Sequence, residues 1–231
     1  MHDTIHPKGV TLMLSFTDIQ NDAVVRTYVQ KGNAVLGAIG FTEHGFAHAG
    51  IAASTAASIL TALDYDARTV ELARIAGYLH DIGNCVNRAG HAQSGALMAF
   101  SLLTGLGMDA AEVADIIGAI GHHDEGTAAA VSPISAALIL ADKSDVRRTR
   151  VRSKATIGSD IHDRVNYAVI DSKLHVDPAA HEVHLTLTID TEISAVMDYF
   201  EIFLSRMLLC RKAAEYLGLR FRLEMNGTPL L

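Results

Sequence analysis

A mainly α-helical fold with a small C-terminal α+β appendage is predicted by three features of the sequence. Almost half of the 231 residues are apolar, yet only 6% are aromatic and none is tryptophan, which suits closely packed helices better than a strand-rich sandwich. Small and apolar residues recur at helical spacing through most of residues 43–150,. The stretch HEVHLTLTID instead alternates, with Val183, Leu185, Leu187 and Ile189 on one face,.

Residues 1 to about 30 are amphipathic and ambiguous. Gly32, Gly37 and Gly40 then loosen the chain before Thr42, a helix-capping residue type,. From Glu43 to about Leu63 the residues Ala47, Ile51, Ala52, Ile59 and Leu63 mark one helix, broken at Asp64-Tyr65-Asp66,. A second helix runs from about Ala67 to His80 and ends in HDIGN, whose glycine is a natural stop,. A third is expected from about His91 to Gly107, and a fourth from Asp109, where Glu112 completes a pairing like a capping box,. Ser132-Pro133 starts a fifth along ISAALILADKSDVRRTR,.

From Val165 the pattern alternates and reads as a hairpin after the break at Asp177-Pro178,. Ile193, Val196, Met197, Phe200, Phe203, Leu204, Met207 and Leu208 then trace a helical stripe, followed beyond Gly218 by the strand-like FRLEM,. The expected division is an N-terminal segment at 1–31, a helical domain at 32–160 and a small α+β subdomain at 161–231. The Met and Phe stripe reads as core or as the interface of a homodimer formed through that subdomain.

A formal charge of −7 argues against general affinity for nucleic acid,. Lys143, Arg147, Arg148, Arg150, Arg152 and Lys154 nevertheless crowd together, and such a run is most often a solvated helix face,. Cys85 and Cys210 are too few for a disulfide framework and fit a reducing, cytoplasmic setting,. The N-terminus lacks a leader pattern, and no segment stays apolar long enough to span a membrane,.

His44, His48, His80, His91, His122 and His123 lie on or at the ends of four predicted helices. His44 and His48 share a face at i, i+4, His80 adjoins Asp81, and Asp142 sits in an apolar run where an unpaired carboxylate would be costly,. Imidazoles with carboxylates suit transition ions, and a carboxylate can bridge two of them. A pair of ions can hold a bridging hydroxide as nucleophile and screen phosphoryl charge. Lys143 and Arg147, one and five residues after Asp142, are the members of the basic run placed to reach a phosphate,.

In order, TEHGFAH, LHDIGN, GHAQSGA, IGHHDEG and ILADKSD spell H…HD…H…H(H)…D. This set resembles the HD superfamily of metal-dependent phosphohydrolases over about residues 40–150. The resemblance implies a helical bundle in which His48, His80, Asp81 and Asp142 bind a first metal. Asp81 would bridge to a second held by His91 and His122, with His80 and Asp81 as the catalytic dyad. Trinuclear members place a further ligand where this chain has His44; His44 and His123 are candidates for a third ion or for substrate phosphate. The family often carries lysine three residues after the dyad's aspartate, where this chain has Asn84. The glycine-tyrosine-proline signature of cyclic-di-GMP phosphodiesterases is missing, because HHDEG is followed by TAAAVSP.

The expected activity is hydrolysis of a phosphate ester in a nucleotide or other small phosphorylated metabolite. The cofactors would be divalent ions, two in number, from among manganese, iron, nickel, zinc and magnesium. Two alternatives use the same ligands: a mixed-valent di-iron oxygenase, and a non-catalytic domain that binds metal or nucleotide.

Overall fold

The computed structural model describes residues 13–231; residues 1–12, the opening of the expected N-terminal segment, lie outside the described residues. Two helices come first, α1 (Phe16–Asn21) and α2 (Ala23–Ala38). Asp22 caps α2 by accepting from the amides of Val24 and Val25, each at 2.9 Å,. The expected loosening at Gly32 and Gly37 does not occur, and α2 runs through both. Gly37 lies against the Arg152 guanidinium, and Gly32 against the backbone of residues 81–85, so both serve close packing.

The central bundle consists of α3 (Phe46–Ala62), α4 (Ala67–Leu79), α5 (His91–Gly105), α6 (Ala110–Gly121) and α7 (Pro133–Ser144). Helices α3 and α4 cross where a Cβ on Gly77 would fall 2.7 Å from the Ala53 Cα. Past α4 the chain makes a 3-10 turn over Ile82–Cys85. Gly83 within it is not a left-handed stop: among the described glycines with positive φ it does not occur. A Cβ there would instead overlap the carbonyl of His91 and the amide of Gly95, so this glycine allows the turn to lie on the start of α5.

Two further expectations change. Asp109 caps α6, accepting from Ala111 N at 2.8 Å, but Glu112 does not complete a box, because its carboxylate takes both nitrogens of the Arg68 fork. Helix α7 stops at Ser144 rather than continuing through DVRRTR. The Asp145 carbonyl accepts from Arg150 Nη1 at 2.7 Å instead of a helical amide, and Arg148–Arg150 form a short 3-10 turn.

The C-terminal part begins with a helix the alternating pattern concealed, α8 (Ile161–Ala168), and then β1 (Val169–Asp177) and β2 (Glu182–Ile189) form the expected antiparallel hairpin. Helix α9 (Val196–Tyr216) crosses to β3 (Arg220–Met225), parallel to β2, and β4 (Thr228–Pro229) closes a sheet of order β1-β2-β3-β4. The α9 stripe divides: Tyr199, Phe203, Met207 and Cys210 are buried, whereas Met197, Leu204 and Leu208 face outward. A single apolar cluster runs from Ile19 and Val25 through Leu60, Ile75, Ile120 and Leu138 to Leu185, Phe203 and Leu223. Both ends of the described chain therefore share the bundle's core. No described helix is long and apolar enough to cross a membrane.

The glycine contacts give a differential expectation. Gly83→Ala should lower the melting temperature by roughly 4–8 °C, equivalent to about 2 kcal/mol of overpacking, because the obstructing atoms are backbone,. Gly118→Ala, in α6 with open space at its Cβ, should instead gain about 0.5–1 kcal/mol,. Calorimetry of the two variants distinguishes steric need from simple helix propensity.

Candidate metal centre

Five helix segments deliver the polar side chains to one buried point. His48 comes from the first turn of α3, His80 and Asp81 from the end of α4, His91 opens α5, His123 follows α6, and Asp142 lies in the last turn of α7. The four histidines are essentially inaccessible and Asp142 nearly so.

The donors form two adjoining halves. In the first, His48 Nε2 lies 3.2 Å from His80 Nε2 and 3.3 Å from Asp142 Oδ1. Asp81 Oδ2 lies 3.4 Å from His80 Nε2 and 3.7 Å from His48 Nε2. In the second, His91 Nε2 and His123 Nε2 are 3.2 Å apart, and Asp81 Oδ1 lies 3.4 Å and 4.0 Å from them. The two oxygens of one carboxylate thus face two histidine pairs.

The tautomers follow from the opposite ring nitrogens. His80 Nδ1 donates to Gly77 O at 2.8 Å, His91 Nδ1 to Arg88 O at 3.0 Å and His123 Nδ1 to Ile120 O at 2.6 Å. His48 Nδ1 donates to Asp145 Oδ2 at 2.7 Å. With each proton committed there, every Nε2 presents a lone pair, and paired lone pairs at 3.2 Å repel unless a cation lies among them,. This donor set fits divalent transition ions: imidazole nitrogens oriented by outer acceptors, with carboxylate oxygens between them. The donor atoms of His48, His80 and Asp142 lie within 4.8 Å of one another, as do those of His80, Asp81 and His123.

The electrostatics point the same way. Burial pushes the His123 pKa down to about 3, helped by His80 and Lys143, so the ring is neutral over the physiological range. Burial likewise lowers His91 and, with Arg150, His44. Burial opposes the ionised forms of Asp81 and Asp142, but His80 holds Asp81, and Lys143 with His48 holds Asp142, well below the usual carboxylate range. Burial also opposes charge on His80, yet Asp81 and Asp142 outweigh it and raise its pKa. The field at His80 Nε2 therefore favours positive charge.

His122 and His123 exchange the expected places. His122 is exposed and turns its Nδ1 back to Gly118 O at 2.9 Å, whereas His123 is buried beside His91. The chain leaves α6 at His122, and that last residue still points outward. His44 is adjacent, its ring 5.4 Å from that of His48 and its Nδ1 donating to Thr42 O at 2.8 Å.

Of the two basic candidates, Lys143 is at the centre and Arg147 is not. Lys143 Nζ lies 2.7 Å from Asp142 Oδ2 and 3.4 Å from Glu125 Oε2. Arg147 Nε instead binds Asp145 Oδ1 at 2.8 Å, while its Nη2 lies 3.4 Å from Glu43 Oε2, so it buttresses the carboxylate that orients His48. Asp145 was not among the expected residues, although its place three after Asp142 puts it on the same helical side,. Asn84 donates to Asp81 Oδ1 at 2.9 Å and steadies the dyad's carboxylate.

The expected solvated face also fails at Arg150, which is buried and donates to the carbonyls of Glu43 and Asp145. Arg150, Arg88, Lys143 and Arg206 line the narrow cleft over the donors. A larger cavity of about 530 Å³ shares His44, Arg88, Arg150 and Arg206 with that cleft and extends past Phe41, His162 and Ile202. Arg206 comes from α9, where Glu125 Oε1 holds its Nε at 2.7 Å.

No curated protein matches the chain. The sequence model of the HD domain family matches residues 43–153, a span that holds all the converging histidines and aspartates together with Arg88, Lys143 and Arg150 but stops short of Arg206. With the family's ordered motifs folded into one buried cluster, residues 43–153 are identified as an HD domain, consistent with a protein of the HD superfamily.

Proposed function

We propose that the protein is a metal-dependent phosphohydrolase acting on a phosphate ester of a nucleotide or other small phosphorylated metabolite. The observation that carries this reading is the Asp81 carboxylate, which turns one oxygen to each histidine pair beneath a cleft lined by four cationic side chains. His48, His80, Asp142 and Asp81 would hold one divalent ion, and His91, His123 and Asp81 a second. Such ions supply an activated water and screen the charge of a reacting phosphoryl group.

The chain's own groups do the remainder. Asp145 and the carbonyls of Gly77, Arg88 and Ile120 keep the imidazoles turned inward,. Arg150 and Arg206 stand where the cleft opens into the larger cavity; Arg150 Nε and Nη1 are taken by the Glu43 and Asp145 carbonyls and Arg206 Nε by Glu125, which leaves their remaining nitrogens and their charge to meet phosphate oxygens,. That rim favours an anionic substrate, a phosphate ester or a phosphonate, over a neutral polyol,.

Elemental analysis of the full-length protein should find about two divalent transition ions per chain. His123→Ala should lose about one of them and His122→Ala none; an Asp81→Asn protein with undiminished metal would refute the assignment. Asp145→Asn should weaken metal affinity by about 10- to 100-fold, as losing an outer-sphere acceptor does, while leaving the fold intact by circular dichroism,.

In a panel of phosphate monoesters and diesters, phosphate or alcohol release should depend on added metal. Arg206→Ala should raise KM by roughly tenfold through a lost phosphate contact. Oxygen uptake with no phosphate release would transfer the protein to the oxygenases, and tight nucleotide binding without turnover to the non-catalytic domains.

A further inference from the structure

The two halves of the centre are unequal. The first gathers His48, His80, Asp142 and one oxygen of Asp81; the second gathers His91, His123 and the other oxygen of Asp81, with the half-exposed Asp124 at its edge, Oδ1 3.9 Å from His91 Nε2. A side chain of the protein also reaches into the second half. Arg88 Nη1 lies 3.3 Å from His91 Nε2 and 4.0 Å from Asp81 Oδ1, and its Nη2 lies 3.9 Å from Asp124 Oδ1. Its own carbonyl accepts from His91 Nδ1 at 3.0 Å, so one residue both orients this imidazole and covers its lone pair.

Lys143 makes an instructive contrast. It sits on Asp142 Oδ2, leaving Oδ1 to face His48, and so does not contend for a donor atom. Arg88 does contend for one. A guanidinium does not give up its proton in a protein, so it cannot share the single lone pair of His91 Nε2 with a divalent ion,.

The hold on Arg88 is also loose. Neither carboxylate is within hydrogen-bond distance, and its guanidinium lies 5.5 Å from the centre of the Phe41 ring, which borders the larger cavity,. Arg88 lines both the cleft and that cavity. A phosphate in the cavity offers it paired oxygens in place of one imidazole nitrogen.

We propose that Arg88 is an internal competitor for the second metal position, withdrawn from His91 by substrate phosphate. The second ion then binds weakly alone and more tightly with phosphate. By linkage the ion tightens phosphate by the same factor. This rests on the dinuclear reading above.

The test is Mn²⁺ titration of full-length protein stripped with chelator, followed by equilibrium dialysis and by the electron paramagnetic resonance signature of coupled ions. In the wild-type protein the first ion should bind at least about tenfold more tightly than the second. Arg88→Gln should tighten the second ion by about tenfold and leave the first unchanged. Inorganic phosphate should tighten the second ion in the wild-type protein and do little in the variant.

Should Arg88→Gln fold poorly, Arg88→Met removes the same charge with similar length and carries the same expectations. An unchanged or weaker second site in the folded variant overturns the proposal, as does a phosphate effect of full size. Two equal sites in both proteins would overturn the competitor and leave the dinuclear reading standing. One ion at saturation in both would remove the dinuclear reading itself.

Discussion

Everything at this centre depends on where four imidazole protons go. A buried histidine can present either nitrogen, and only a committed acceptor on one side makes the other a reliable lone pair. Three of those acceptors are carbonyls three residues earlier in the chain: Gly77 for His80, Arg88 for His91 and Ile120 for His123. Gly77 and Ile120 lie in the last turns of α4 and α6, where helices leave carbonyls unpaired,. The helix ends thus supply the outer sphere of the site from their own carbonyls, that of Ile120 also accepting from the His123 amide. His48 is the exception because it lies inside α3, where carbonyls are taken by the helix itself, and it uses Asp145 from α7 instead.

Bringing those rings within 3.2 Å of one another constrains the backbone around them. The α3–α4 crossing closes on Gly77 against Ala52 and Ala53, which sets His80 beside His48. Gly83 and Gly95 let the turn after Asp81 lie directly on α5, which sets His91 beside Asp81. The abundance of small residues is therefore tied to chemistry as well as to packing: larger side chains at these contacts would part the two histidine pairs from their shared carboxylate.

Much of this was legible in the sequence, and the failures share a cause. The bundle helices and the hairpin follow from periodicity, and His48, His80, Asp81, His91 and Asp142 follow from ordered motifs. The choice between His122 and His123 does not, because adjacent residues at a helix end differ only in which way the final turn faces. Glycine signals misled at α2 and after Asp81, since glycine serves close approach as often as a break and only the neighbouring element distinguishes them. Arg88 and Arg206 carry no local pattern, and the basic run that holds Arg150 reads as a solvated face although Arg150 is buried. Their positions are set by partners distant in sequence, Arg150 by the Glu43 carbonyl and Arg206 by Glu125.

Those distant partners also explain why the C-terminal part is bound into the site. Glu125 lies between Lys143 and Arg206, so a chain of ion pairs runs from Asp142 through Lys143 and Glu125 to α9. Arg206 in turn lies over the buried Phe203 ring at 4.4 Å, and Phe203 belongs to the common core. Shifting α9 would therefore move a charge at the cleft and strain the cation on Asp142 at once. The HD domain supplies the donors, whereas the field that an incoming anion meets is completed by a helix outside it.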